Sequence, residues 1–365
     1  MADRIKILYT IPNFDTAGSG KVVYDLIKGL DRSKFEIEVC CFHDRGAFFK
    51  TIESTGVKIH IFRFATSYKP LLSLPFRIFE IRKFFRQNNY DIIHSWHWSS
   101  DFTEPLAAKL AGIKFIYTKK AMGWGNKAWT WRSKLSTKII AINQDMIQQF
   151  FKDMNHKTTY LPLGVDTNYF APQASNEALK TELQIKPDDF VISSIANLVP
   201  VKGIEVLLDA IEMLKNEKIK VLIVGNDDND YGQSLKEKYA SKNILFLGKK
   251  QDVRPYLSIT DTFVIPTKDE GRKEGMPIAP LEAMASETIV LGSRISGIVD
   301  ILKDFEAYLF EPSNVEMLAE KINKIYNLNA DERHEISNSM RDYVVNNLSI
   351  NQFINNHQTF YQSIN

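Results

Sequence analysis

Short apolar runs alternate with amphipathic stretches along almost the whole chain, and this alternation narrows the fold more than any other feature. Residues 5–11, 35–42, 57–62, 92–95, 115–118 and 139–142 read as strands, with 21–30, 76–87 and 102–110 as helices between them. A second series of strands follows at 190–195, 221–224, 244–247, 263–265 and 288–291, with helices such as 203–215 and 315–326. Fully apolar strands need cover on both faces, and parallel neighbours need a long crossover. Helices laid on a parallel sheet meet both demands. The run Leu163-Gly164-Val165-Asp166-Thr167 and the stretch 172–187 read as the exit from a first domain. The chain of 365 residues is therefore expected to form an α/β protein of two domains, 1–170 and 171–345, with a last helical segment at 346–365. The Asn and Gln content of that segment predicts a surface helix, not a core one. Ligand crevices are expected at the carboxyl ends of the strands.

Charge separates the two halves. Residues 1–170 carry 25 Lys and Arg against 15 Asp and Glu, whereas the remainder carries 21 against 29. The excess sits in residues 61–138, with 14 basic against 4 acidic side chains. A basic first half suggests an anionic partner, and the acidic second half argues against a protein built for nucleic acid. No nucleic-acid motif accompanies the charge. Cys40 and Cys41 are adjacent in an apparent strand and point to opposite faces, so no disulfide joins them. No apolar run reaches the ~18 residues of a membrane span, and the start of the chain is too charged for a signal peptide. The expected location is cytoplasmic.

The most informative string is Glu274-Gly275-Met276-Pro277-Ile278-Ala279-Pro280-Leu281-Glu282-Ala283-Met284-Ala285. Two carboxylates are set eight positions apart around a Gly-x-Pro turn, with a helical run starting near the second. Glycine lets backbone amides approach a ligand, and a helix start aims unpaired N–H groups at the same point. Such an anion pocket flanked by hydroxyl-binding carboxylates suits a sugar joined to a nucleotide diphosphate. The string, with Thr288 to Gly292 and Ser296-Gly297 after it, resembles the donor-site signature of family 4 retaining glycosyltransferases. The resemblance implies the GT-B fold: two Rossmann-like domains facing a central cleft, with a C-terminal helix crossing back to the first.

The resemblance also implies roles. Glu282 would bind the ribose hydroxyls and Glu274 the donor sugar, with Gly275, Met276, Pro277 and Ile278 presenting backbone around sugar and phosphates. Lys202, in Asn197-Leu198-Val199-Pro200-Val201-Lys202-Gly203, matches a family lysine that grips the diphosphate; Asn197 stands where the family has Arg. Lys250 and Val253 lie in the loop expected to hold the base through its backbone. Gly18 matches a glycine of the loop that closes over the donor from the first domain. Gly-Ser-Gly-Lys at 18–21 is no phosphate-binding Walker loop, because Asp15 replaces its first glycine and Val22 its Ser or Thr. Lys120 occupies a position where many members have His, and at its ordinary pKa it would be a poor base. Lys120, His97 and Trp124 are the acceptor-side candidates, and Lys202, Glu274 and Lys120 the catalytic ones. His94 and His97 read as cleft-lining or packing residues, and Asp227-Asp228-Asn229-Asp230 as a solvated loop; no metal and no cofactor are expected beyond the nucleotide-diphospho-sugar as co-substrate.

Residues 68–90 and 119–138 mix basic and aromatic side chains, which fits an anionic membrane surface or, equally, aromatics packed on the sheet under a charged rim. The implied activity is metal-independent retaining transfer from a nucleotide-diphospho-sugar, most simply a UDP-sugar. Its acceptor would be a glycan or a lipid-linked one, at the cytoplasmic face of the membrane, in surface polysaccharide synthesis. An epimerase would lack the Glu-Gly-Met-Pro string, and a glycan phosphorylase would need a far longer chain. A catalytically inactive relative that binds a partner is the alternative, on the strength of Asn197 and Lys120.

Overall fold

A computed structural model describes residues 4–15, 17–271 and 273–364; the side chains of Ala17, Lys273 and Glu274 lie outside the described part. The chain divides into two compact units, one running to Pro162 and resuming at Phe353, the other Leu163–Gln352.

The first unit is built on a seven-stranded sheet. Its strands are β1 (Ile5–Thr10), β2 (Phe35–Cys41), β3 (Lys58–Ile61), β4 (Ile92–Ser95), β5 (Lys114–Lys119), β6 (Lys138–Ala141) and β7 (Thr158–Tyr160). Their order is β3-β2-β1-β4-β5-β6-β7, every pair parallel. Ile7, Leu8, Val39, Ile92, Ile93 and Ile116 are wholly buried, as strands covered on both faces must be. The helices used below are α1 (Ala17–Gly29), α2 (Leu74–Gln87), α3 (Thr103–Ala111) and α4 (Trp129–Leu135). The chain leaves β1 for β2 on one side and returns to β4 on the other, so β1 and β4 flank the switch point of the sheet.

The second unit repeats the plan with β8 (Phe190–Ile195), β9 (Ile219–Val224), β10 (Ile244–Phe246), β11 (Thr262–Ile265), β12 (Ile289–Ser293) and β13 (Leu309–Phe310). Their order is β10-β9-β8-β11-β12-β13, again all parallel, with the switch between β8 and β11. Helix α5 (Ile204–Leu214) buries Ile204, Val206, Leu207, Leu208, Ala210 and Ile211. Helix α6 (Ala279–Ala285) follows the Gly-Met-Pro turn and packs on α7 (Ala330–Asn347), whose start carries a full capping box between Asn329 and Glu332.

The last helix, α8 (Ile350–Ile364), differs from the surface helix expected. Phe353, Ile354, His357, Phe360 and Tyr361 recur at helical spacing and are buried, while Asn351, Gln352 and Asn355 are exposed. The polar residues occupy one face and conceal an apolar stripe that packs on the first unit. The Tyr361 hydroxyl lies 3.1 Å from that of Tyr9 and 2.6 Å from His94 Nδ1. Burial pushes the His94 imidazole well below its usual pKa and that of His357 down to about 4. His94 is thus a neutral packing residue inside β4, its Nε2 2.8 Å from Thr118 Oγ1.

Candidate functional site

In the second unit the candidate residues follow the carboxyl ends of β8, β10 and β11. After β8 the chain turns through Pro200–Lys202, and Gly203 ends the turn with φ +63°. Lys202 is 9 % exposed, so its stem is packed and its charged end has few directions open to it. A Cβ on Gly203 would stand 2.2 Å from the Pro266 carbonyl oxygen, so only glycine lets the lysine turn close on the loop after β11. That loop is tied back: Lys268 N–H donates to Val201 O at 2.8 Å, and Ser293 Oγ on β12 donates to Thr267 O at 2.6 Å.

The Gly275–Ile278 turn is held from behind. Gly297, at φ +82°, follows β12, and a Cβ there would meet the Gly275 carbonyl oxygen at 2.2 Å. The Met276 side chain points inward, 5 % exposed, and its sulfur accepts the Leu163 N–H at 3.3 Å. Gly275 and Pro277 are buried as well, so what this turn can offer a ligand is backbone. Glu282 lies in the first turn of α6, half-buried. The Glu274 side chain falls outside the described residues. The turn that carries Lys202 is thus tied to the loop after β11, that loop is tied to the end of β12, and the residues after β12 back the Gly275–Ile278 turn.

Asn197 is exposed and neutral, and Lys250 is exposed, its Nζ 5.7 Å from the centre of the Tyr256 ring. Val253 opens the short helical turn Arg254–Leu257. Lys250, Gln251 and Asp252 line a cavity of about 380 Å³ with Asn176, Glu182 and Tyr256. Sequence reading missed Lys268, which pairs with Glu205 and, at 3.3 Å, with Glu270, and Tyr231, which donates to the same Glu205. No periodic or motif signal marks that cluster. Gly297→Ala should destabilise the second unit by more than about 1 kcal/mol, since it forces a positive φ on alanine and pushes the 275–276 turn. Thermal denaturation and turnover measured together would check this, with turnover falling further than stability accounts for.

In the first unit, Lys120 stands at the carboxyl ends of β1, β4 and β5. Its Nζ donates to Ser19 Oγ at 2.8 Å and to the Trp96 carbonyl, and lies 5.3 Å from the Trp98 ring centre. Desolvation, with Arg132 and Lys119 nearby, pushes its pKa down to about 7. The expectation of a poor base at an ordinary lysine pKa is corrected here: burial brings Lys120 into the range where both protonation states are populated. Gly18 is exposed and non-helical within α1, so it breaks the first turn of that helix next to Ser19.

His97 lines a second cavity, of about 650 Å³, with Phe42, Arg63, Thr66, Arg77 and Asp101 among others. Its pKa is pushed down to about 3 by burial and by Arg132 and Lys120, so the ring is neutral. Trp124 is corrected as an open acceptor contact. It stacks on Trp129 at 5.0 Å and lies edge-on to Tyr117, Phe150 and Phe151, with Lys119 Nζ 3.8 Å over its ring. Behind the site lies a buried ion pair that sequence reading also missed. Arg132 and Glu104, both 0 % exposed, pair at 3.2 Å; Thr10 and Ser95 donate to Glu104, and Arg132 also donates to Ser95 Oγ at 2.9 Å. Among the described residues no three His, Cys, Asp or Glu side chains group as metal ligands.

Comparison with known proteins agrees with the fold of two parallel-sheet units. The family model described as "Glycosyl transferases group 1" matches residues 175–343, and that described as "Glycosyltransferase Family 4" matches residues 16–169. The chain is 26% identical over 332 residues to the capsular polysaccharide biosynthesis glycosyltransferase CapH of Staphylococcus aureus, spanning 84% of this chain and 86% of that protein. It is 27% identical over 301 residues, 75% of each chain, to the UDP-Gal:alpha-D-GlcNAc-diphosphoundecaprenol alpha-1,3-galactosyltransferase of Escherichia coli. A glycosyltransferase from Rickettsia africae superposes with a TM-score of 0.86 over 99% of both chains at 21% identity, which shows a shared fold.

Proposed function

Because this chain belongs to the family 4 glycosyltransferases of GT-B fold, we propose that it moves a sugar with retention from a UDP-sugar to a lipid-linked acceptor during surface polysaccharide assembly. The observation that carries the reading is the backed turn at Gly275–Ile278, joined by the loops after β11 and β12 to the nearly buried Lys202. The E. coli relative, named for a UDP-sugar and a diphospholipid-linked acceptor, supports that choice of substrates. The work would take place at the cytoplasmic face of a membrane. Among the described residues no helix is long and apolar enough to cross one.

In the proposed reaction the bond from the anomeric carbon to the phosphate oxygen breaks as an acceptor hydroxyl attacks the same face. The acceptor proton passes to the leaving phosphate oxygen. Lys202 and the backbone N–H groups of the 275–278 turn stabilise the charge that builds there. Glu282 orients the ribose, and Glu274 the sugar. The scheme needs no metal, and it needs no histidine base at the Lys120 position. Lys120 holds an anionic group of the substrates in its protonated form. Accordingly kcat/KM should fall as pH rises through about 7, the value to which burial brings this side chain in the unliganded protein. Lys120→Arg should move that limb out of range and Lys120→Met should abolish it; an unchanged profile in Lys120→Met would remove the residue from this role.

A second reading, a binding protein without turnover, is favoured by one observation: the neutral, exposed Asn197 where the family places a cation. Thermal unfolding with UDP, GDP, ADP and their sugar conjugates separates the two. A ligand at about 100 times its Kd adds ~2.7 kcal/mol, which moves the midpoint visibly. Stabilisation by the uridine set alone is expected. Stabilisation by another set would change the donor, and no response to any would favour the second reading.

A further inference from the structure

Most large apolar side chains described in the first unit are inside, but several exposed ones stand close together in one segment. In the turn Leu71–Ser73 and the following helix α2, Leu71, Leu72, Phe76 and Phe79 are 68, 100, 69 and 50 % exposed. The patch continues onto α3 at Leu110, 54 % exposed, whose carbonyl accepts from Arg82 Nε at 2.9 Å. A contiguous apolar patch of this kind marks a surface with a partner. Its rim is cationic: Lys69, Lys83 and Arg86 are exposed and make no ion pair among the described residues, and Lys109 is exposed beside Leu110. Helix α2 contains four basic residues against the single carboxylate of Glu80. The approach to the ridge is also set in advance. Arg77 donates to Thr66 Oγ1 at 2.8 Å, to Ser67 O and to Pro70 O at 2.7 Å, which orders the segment before any partner arrives.

We propose that residues 71–79 form a ridge that inserts into the headgroup layer of an anionic lipid bilayer. The apolar side chains enter the acyl boundary and the basic rim meets the lipid phosphates. The 650 Å³ cavity opens at the foot of this ridge, with Thr66, Ser67, Arg77 and Ile81 in its wall. Docking by the ridge sets that cavity at the membrane surface, where a lipid-linked acceptor resides. This rests on the proposed acceptor class only for its purpose; the binding itself does not depend on turnover. The second basic stretch, 119–138, is given no such part, because Trp124 and Trp129 stack on one another against Phe150 and Phe151. Of its tryptophans Trp131 is the exposed one, at 60 %.

Co-sedimentation of the full chain with vesicles tests the proposal. Wild-type protein should bind phosphatidylcholine–phosphatidylglycerol vesicles, bind pure phosphatidylcholine far less, and release with rising salt. Leu72→Glu with Phe76→Glu should lower binding about tenfold or more while leaving the unfolding midpoint and the response to UDP unchanged. Lys83→Glu with Arg86→Glu should weaken binding to anionic vesicles specifically. Equal binding by the ridge variant, or no wild-type binding to anionic vesicles, would overturn the proposal. So would sedimentation equilibrium showing a wild-type dimer that Leu72→Glu dissociates, since a second copy would then own the surface. No response of the wild type to UDP, GDP, ADP or their sugar conjugates would refute the transferase reading and leave the vesicle result standing.

Discussion

Lys202→Ala should lower kcat by about 10²–10³-fold, the cost of removing one preorganised donor from a developing oxyanion. The size of the effect follows from where the lysine sits. Its turn follows β8 at the switch point of the second sheet, Gly203 lets it close against Pro266, and the residue is 9 % exposed. A charge held in so few orientations loses little freedom when the phosphate arrives, and it acts where water is scarce. With Asn197 supplying no formal charge, Lys202 is also the one basic side chain of its loop 196–203. Lys202→Met, which keeps the packed stem, separates chemistry from folding. It should unfold near the wild-type midpoint and lose turnover as fully as the alanine variant. A wild-type rate in either would remove the phosphate role. Glu282→Ala with undiminished turnover would likewise remove the donor site assigned to α6.

Arg132→Met should destabilise the first unit by about 3–5 kcal/mol, because it leaves the Glu104 carboxylate buried without its partner. Both side chains are 0 % exposed, and the pair draws in Thr10 from the end of β1 and Ser95 from the end of β4. The loops that carry Gly18 and His97 begin just beyond those two residues. The fall in the midpoint of the first unit should be roughly 6–20 °C, at about 2–4 °C per kcal/mol for a domain of this size. Burial already holds the Glu104 pKa above the ordinary carboxylate value, against the pull of Arg132. Replacing both residues by apolar ones of similar volume should restore much of the loss, since a buried pair costs desolvation on both sides. A single variant as stable as the wild type would show that water reaches Glu104.

Much of this was legible in the residues. The apolar runs at 5–11, 35–42 and 190–195 correspond to β1, β2 and β8, and the strand-helix alternation carries through both sheets. The 274–285 string and Lys202 stood out because their chemistry is local: glycine, proline and carboxylate at fixed spacing act within one turn. Where the reading failed, the missing information was a partner distant in sequence. A final helix returning to the first domain is expected, but its Asn and Gln count hides the buried stripe through which Tyr361 reaches Tyr9, 352 positions away. Trp124 looked free beside basic residues until Trp129 and Phe150 filled its faces. Lys120 carried an ordinary lysine pKa on paper, and only burial beside Arg132 and Lys119 moves it.

The class of fold, two parallel sheets, and the position of the Glu274–Glu282 string can be read from the residues alone, because hydrophobic period and turn chemistry are written in neighbouring positions. Tertiary structure alone decided which charges are buried, which aromatics are satisfied by packing and which stay exposed, as at Leu72 and Phe76. Burial and desolvation are properties of what surrounds a side chain, and the surroundings of Arg132, Lys120 and Tyr361 come from segments that meet only when the sheet is assembled.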